Sequence, residues 1–189
     1  RKAVVIGEMV ELRKLYTNLG VILGYPHEDV RPLIDECIDI VTRGNYPEEV
    51  ARELNSFKKD VDRLTLGSLQ ELYSYTFELT SETTLDMGYY VLEGFKRARN
   101  LLTIKTMYRE QGFPYDDVAK GELPDNLSVI LRFIGHLENE ALKKNFVKSY
   151  VIQAMEKLDR NFQARKNAYK HLINAIYKIL DRDIKDEKE

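Results

Sequence analysis

The chain has 189 residues, of which 43% are hydrophobic and 32% charged, and its formal net charge is −2. This is the composition of an ordinary globular domain large enough for a sizeable core. It lacks the global basic field that would recruit nucleic acid or anionic lipid. Its one cysteine, Cys37, excludes an intrachain disulfide or a cysteine-rich metal site; it reads as a small buried apolar residue in a reducing, cytoplasmic setting. No apolar run approaches the ~18 residues of a membrane span, so no stable membrane insertion is expected, and no signal peptide is visible. The chain begins at Arg1 rather than Met, which leaves room for residues upstream.

The first helix is marked by Val5, Met9, Leu12, Tyr16, Leu19 and Leu23, spaced by fours and threes as on one buried stripe. Gly24-Tyr25-Pro26 ends it, because proline disfavours helix in the residue before it. Gly20 and Gly24 match a small-residue helix-packing spacing and point to a close helix contact or a frayed end. The second helix carries Val30, Leu33, Ile34, Cys37, Ile38 and Val41 and ends near Gly44. The third starts with Pro47, whose missing N–H suits a first turn, and places Val50, Ala51, Leu54, Phe57, Val61 and Leu64 on one face. Ser68 and Glu71 have the spacing of a capping box for a fourth helix through Leu69, Leu72, Tyr73 and Thr76.

Thr80 to Thr84 is a polar break. A helix containing Tyr89 and Tyr90 follows, interrupted near Gly94, and another runs from about Lys96 to Gln111 with Gly112 as its C-terminal cap. Phe113 to Glu122 reads as a surface loop. Leu127, Ile130, Leu131, Ile134 and Leu137 form a further stripe. Leu142, Phe146, Tyr150, Ala154 and Leu158 define the next helix, and Tyr169, Leu172, Ile173, Ile176 and Leu180 the last. The run Asp181–Glu189 is almost wholly charged and is expected to fray. No strand-like alternation occurs, so the reading is an all-α, single-domain multi-helix bundle over 1–189.

The residues carry no recognisable catalytic pattern. His27, His136 and His171 are scattered, and none has an acidic residue three positions before it, which removes the Glu-x-x-His pair of di-iron bundles. Glycine-rich phosphate loops and Gly-x-Ser-x-Gly elbows are absent. An interaction protein without catalytic residues, metal or cofactor is favoured over an enzyme. Attention falls on Tyr73 to Leu137, which concentrates Tyr73, Tyr75, Phe77, Tyr89, Tyr90 and Phe95 near helix junctions and contains Leu123-Pro124-Asp125-Asn126 at a helix entry.

This stretch resembles the TorD/DmsD/NarJ family of redox-enzyme maturation chaperones, the nitrate reductase delta-subunit branch most of all. The resemblance rests on Thr76-Phe77-Glu78-Leu79-Thr80 before the polar break and on Arg97-Ala98-Arg99 opening a helix that ends Tyr108…Gln111-Gly112-Phe113. Glu122-Leu123-Pro124-Asp125-Asn126-Leu127 follows, then Leu131-Arg132-Phe133-Ile134; Leu23-Gly24-Tyr25-Pro26 is similar to the close of the family's first helix. The chain departs from the family at Asn126, where His or Tyr is common, and at Arg132, where many members have Glu. It also lacks the Gly-Pro-rich loop of the TorD and DmsD branches.

The resemblance implies a TorD-like bundle acting in the cytoplasm, as monomer or dimer. Its partner would be the catalytic subunit of a molybdopterin oxidoreductase, bound through an N-terminal leader of twin-arginine type or a remnant of one. A leader with paired guanidinium groups and an apolar helix-prone segment asks for an apolar groove and a carboxylate. Tyr73, Phe77, Tyr89, Tyr90, Leu123, Pro124, Asp125 and Asn126 are the candidates, with Asp125 as the carboxylate, assisted by Glu78 or Glu93. Each has a plainer reading. Asp125 is equally placed to cap its helix, Phe77 to sit in the core, and Arg97 and Arg99 to make surface or capping contacts. Tyr89 and Tyr90 point about 100° apart on a helix, so only one is expected to be fully buried. The rival function is a helical adaptor or regulatory protein that binds an unrelated amphipathic helix.

Overall fold

The apolar stripes pair off as helices across one core. The computed structural model describes residues 2–185, with side chains from Gly7 onward. Its α-helices are α1 (Lys2–Ile22), α2 (Arg31–Arg43), α3 (Glu48–Val61), α4 (Leu66–Tyr73), α5 (Gly88–Val91), α6 (Gly94–Glu110), α7 (Tyr115–Ala119), α8 (Leu127–His136), α9 (Glu140–Phe146), α10 (Ile152–Phe162) and α11 (Tyr169–Lys185). No strand occurs among the described residues; a single antiparallel bridge joins Asp86 to Asn126. The all-α bundle expected from the stripes is the fold observed.

α1 lies along α8 and against α2, α2 packs on α3, and α11 fills the space between α3 and α10. The α1–α8 contact is close because Gly20 has no side chain: a Cβ there would stand 2.6 Å from Arg132 Cγ and 2.8 Å from the Ser128 carbonyl. Ser128 Oγ donates to the Gly20 carbonyl at 2.8 Å. The small-residue spacing therefore marks a helix contact. On α1, Tyr16 and Leu19 are buried, as is Leu23 just beyond its end, while Met9 is exposed; the side chain of Val5 lies outside the described residues.

Several boundaries differ from the sequence reading, each for a local reason. Pro47 is the N-cap of α3 rather than its first residue. α4 is capped by Thr65, whose Oγ1 accepts from the Ser68 N–H, so Ser68 and Glu71 form no capping box. The segment read as a surface loop contains α7, because Phe113 and Ala119 are buried and anchor it. Two helices carry π turns, at 74–78 after α4 and at 147–151 between α9 and α10. The charged end is helical to Lys185 instead of frayed. Asp183 accepts from Tyr16 Oη at 2.7 Å and from Tyr46 Oη at 3.1 Å, and that pins the last turn. Residues 186–189 lie outside the described residues.

Two aromatic groups organise the core. Phe77 packs against Tyr73, Tyr169 and Phe162 with centroids 5.1, 4.8 and 6.1 Å apart. Phe133 packs against Tyr108 at 4.6 Å and Phe113 at 5.4 Å. Cys37 is fully buried, and burial pushes its thiol up from the ordinary range. No helix among the described residues is long and apolar enough to cross a membrane.

Candidate functional site

The segment between Leu85 and Gly88 is held against the entry of α8 by backbone pairing. The Met87 N–H donates to the Asp125 carbonyl at 2.9 Å and the Leu127 N–H to the Leu85 carbonyl at 2.8 Å. α8 starts here because Asn126 caps it, its Oδ1 accepting from the Ser128 N–H at 2.9 Å, while Asn126 Nδ2 donates to Glu122 Oε2 at 3.1 Å. Tyr108 Oη fixes the same corner by donating to the Pro124 carbonyl at 2.6 Å. Of the two roles open to Asp125 in the sequence, capping thus falls to its neighbour Asn126, and the Asp125 carboxylate engages elsewhere.

That engagement is internal. Asp125 has no solvent exposure, and its Oδ2 accepts from the Gly88 N–H at 2.9 Å. Arg97 Nε stands 3.6 Å from the same oxygen, and Arg97 Nη2 donates to Asp86 Oδ2 at 3.2 Å. Asn100 and the hydroxyl of Tyr150, which the second π turn carries, complete the cluster. Two buried atoms at the centre of the cluster, Asp125 Oδ1 and Arg97 Nε, have no hydrogen-bond partner among the described residues. Gly88 leaves room for this arrangement, because a Cβ there would stand 2.6 Å from Asp125 Oδ2 and 3.2 Å from Tyr150 Oη and would displace one of them. Burial raises the Asp125 carboxyl above the usual range, the Asp86 charge adds to the effect, and the Gly88 N–H and Arg97 oppose it.

The surroundings are acidic. Glu122 is raised by burial and then by the charges of Asp86 and Glu78, so both of these carboxylates lie in electrostatic reach of it. Exposed apolar residues follow them in the chain: Leu79 after Glu78, Tyr89 after Gly88, and Leu123 after Glu122.

Of the sequence candidates, Leu123 and Tyr89 are exposed and Tyr90 is half-buried, its hydroxyl donating to the Thr84 carbonyl at 2.7 Å. Pro124, Asp125 and Asn126 are buried together at the α8 entry. Tyr73, at the end of α4, and Phe77, in the π turn after it, lie in the aromatic core, packed on each other and on Tyr169. Arg97, read as a surface residue, is turned inward. Asp86, Gly88, Asn100, Glu122 and Tyr150 belong to the site and escaped the sequence reading. The one signal for them was the small residue Gly88 set between Asp86 and two tyrosines. Among the described residues, no group of three His, Cys, Asp or Glu side chains could hold a metal ion.

The model of the nitrate reductase delta subunit family matches residues 44–175, well over half of the chain and all of this site. The chain belongs to that family. Nitrate reductase delta subunits are maturation chaperones rather than enzymes, and membership implies partnership with a nitrate reductase-type catalytic subunit. Among curated proteins, no sequence matches this delta subunit relative.

Proposed function

We propose that this chain is a cytoplasmic assembly chaperone acting without turnover. It binds the N-terminal leader, twin-arginine-type or a remnant of one, of a molybdopterin oxidoreductase catalytic subunit and holds it for cofactor insertion before export or membrane assembly. The observation that carries this reading is the cluster of acidic side chains Asp86, Glu122 and Asp125, with Glu78 in electrostatic reach of Glu122 and with Leu79, Tyr89 and Leu123 exposed next to it in the chain. Guanidinium groups followed by an apolar segment are the complement of that surface. In this reading Tyr89, Tyr90 and Leu123 meet the apolar part of the leader. Asp125 and Asn126 shape the charged end, and Tyr73, Phe77 and Pro124 support it from behind.

Titration calorimetry with a synthetic 20-residue peptide, two adjacent arginines followed by an apolar helix-prone segment, tests the proposal. Replacing Tyr89 and Leu123 together by serine should weaken binding about tenfold. Replacing both peptide arginines by glutamine should weaken it at least as much. Equal binding of the two peptides would remove the leader reading. A second reading has one observation in its favour: a groove of about 450 Å³ between α6 and α9, lined by Leu102, Met107 and Leu142 among others. Binding of an unrelated amphipathic helix there would depend neither on arginines in the ligand nor on the Asp86 side chain.

A further inference from the structure

The acidic seat already holds a guanidinium, and it is the chain's own. We propose that Arg97 is an internal placeholder, occupying between Asp86 and Asp125 the position that a client arginine takes on binding, so that the client enters by exchange. This rests on the leader reading above and adds a control on access to it.

The geometry of Arg97 is that of an occupant held loosely. It donates one hydrogen bond to Asp86, at 3.2 Å, and its Nε approaches Asp125 at 3.6 Å, beyond a sound hydrogen bond. Nε and Asp125 Oδ1 are both buried and have no hydrogen-bond partner among the described residues. A carboxylate can accept a guanidinium through both oxygens at once, and Arg97 does this with neither aspartate. The seat is reachable: the side chains of Arg97 and Asp86 are 29% and 26% exposed, so Arg97 can swing outward on the side from which another arginine would come. Asp125, in contrast, is sealed from solvent and is not left without a cation when one guanidinium replaces another. Glu78 and Glu122 add negative charge at the rim, which attracts a second cation before the first has gone.

An occupied seat lowers apparent affinity by the fraction of molecules in which it is free. Calorimetry on the full chain with the double-arginine peptide and its double-glutamine counterpart reads this directly. Arg97→Gln should bind the arginine peptide about tenfold tighter than the unaltered chain and the glutamine peptide no better. Asp86→Asn should bind the arginine peptide about tenfold more weakly. If Arg97→Gln gains nothing while the unaltered chain still requires the peptide arginines, the placeholder is overturned and the leader reading stands. If the unaltered chain and Arg97→Gln both fail to distinguish the two peptides, both ideas fall. Should Arg97→Gln lose its helical circular dichroism, the unaltered chain answers instead. Its Arg97 Nε–H resonance should shift and exchange faster with solvent on saturation with the arginine peptide. An unmoved resonance would overturn the exchange.

Discussion

At the scale of single residues, Asp125 and Gly88 depend on each other. The carboxylate can be buried because Gly88 offers an N–H and no side chain, and the segment from 85 to 88 keeps its course because the carboxylate is there. Gly88→Ala should lower stability by about 1–3 kcal/mol, since the new methyl group overlaps Asp125 Oδ2. Asp125→Ala strands the Gly88 N–H and part of Arg97 and should cost about 2–4 kcal/mol, whereas Asp125→Asn keeps an acceptor for Gly88 and should cost about 1 kcal/mol. Urea denaturation at neutral pH measures all three. The pH dependence has a definite sign. The Asp125 carboxyl is raised on folding, so the folded state holds its proton more tightly than the unfolded chain does. Its contribution is therefore fullest below the ordinary aspartate value of about 4 and is lost as pH rises through the raised folded value. Across that window the urea midpoint of the unaltered chain should fall relative to that of Asp125→Asn. Parallel midpoints would show that the carboxyl titrates alike in both states.

At the scale of elements, what the sequence displays is what periodicity and punctuation control. The end of α1 before Pro26, the end of α2 at Gly44 and the interruption between α5 and α6 follow from local chemistry and stand where those residues put them. What it hides depends on partners far along the chain. A charged run such as 181–189 looks disposable, yet Asp183 serves Tyr16 and Tyr46, separated from it by 167 and 137 positions. Arg97 looks like a surface residue because arginines usually are, and only the fold brings Asp86 and Asp125 to it. Tyr73 and Phe77 are groove candidates by their aromatic density, Phe77 with a core reading beside it, and both rings pack on Tyr169 in the core. The π turns have no signature in composition, and one of them carries Tyr150 into the site. The anchoring of α11 makes a direct prediction. Asp183→Ala should lower stability by about 1–3 kcal/mol by leaving two phenols without their acceptor, while Lys185→Ala, at an exposed position of the same turn, should stay within about 0.5 kcal/mol. Thermal unfolding of the two variants side by side separates a pinned helix end from a frayed one, for which both would be silent.

At the scale of the whole molecule, a net charge of −2 conceals an uneven distribution. Carboxylates gather around Asp86, whereas Arg63, Arg165, Lys166 and Lys170 line a separate depression of about 530 Å³ with Asp60 and His171. α6 buries only Ile104 and Tyr108 and leaves Phe95 94% and Leu102 69% exposed. A charged cluster and an apolar helix face act on different steps of binding. Long-range attraction governs encounter and is screened over about 10 Å at 0.1 M salt, while apolar contact governs escape. The chain contains no tryptophan, so a single tryptophan placed in the apolar part of the double-arginine peptide reports binding alone in stopped-flow fluorescence. Raising salt from 50 to 500 mM should slow association about tenfold and alter dissociation little. Phe95→Ser should leave both rates unchanged if the leader keeps to the acidic cluster, and should speed dissociation if the bound peptide continues along α6. Salt acting on dissociation alone would mean that the carboxylates hold the leader without guiding it, and the cluster would then be a clamp rather than an entrance.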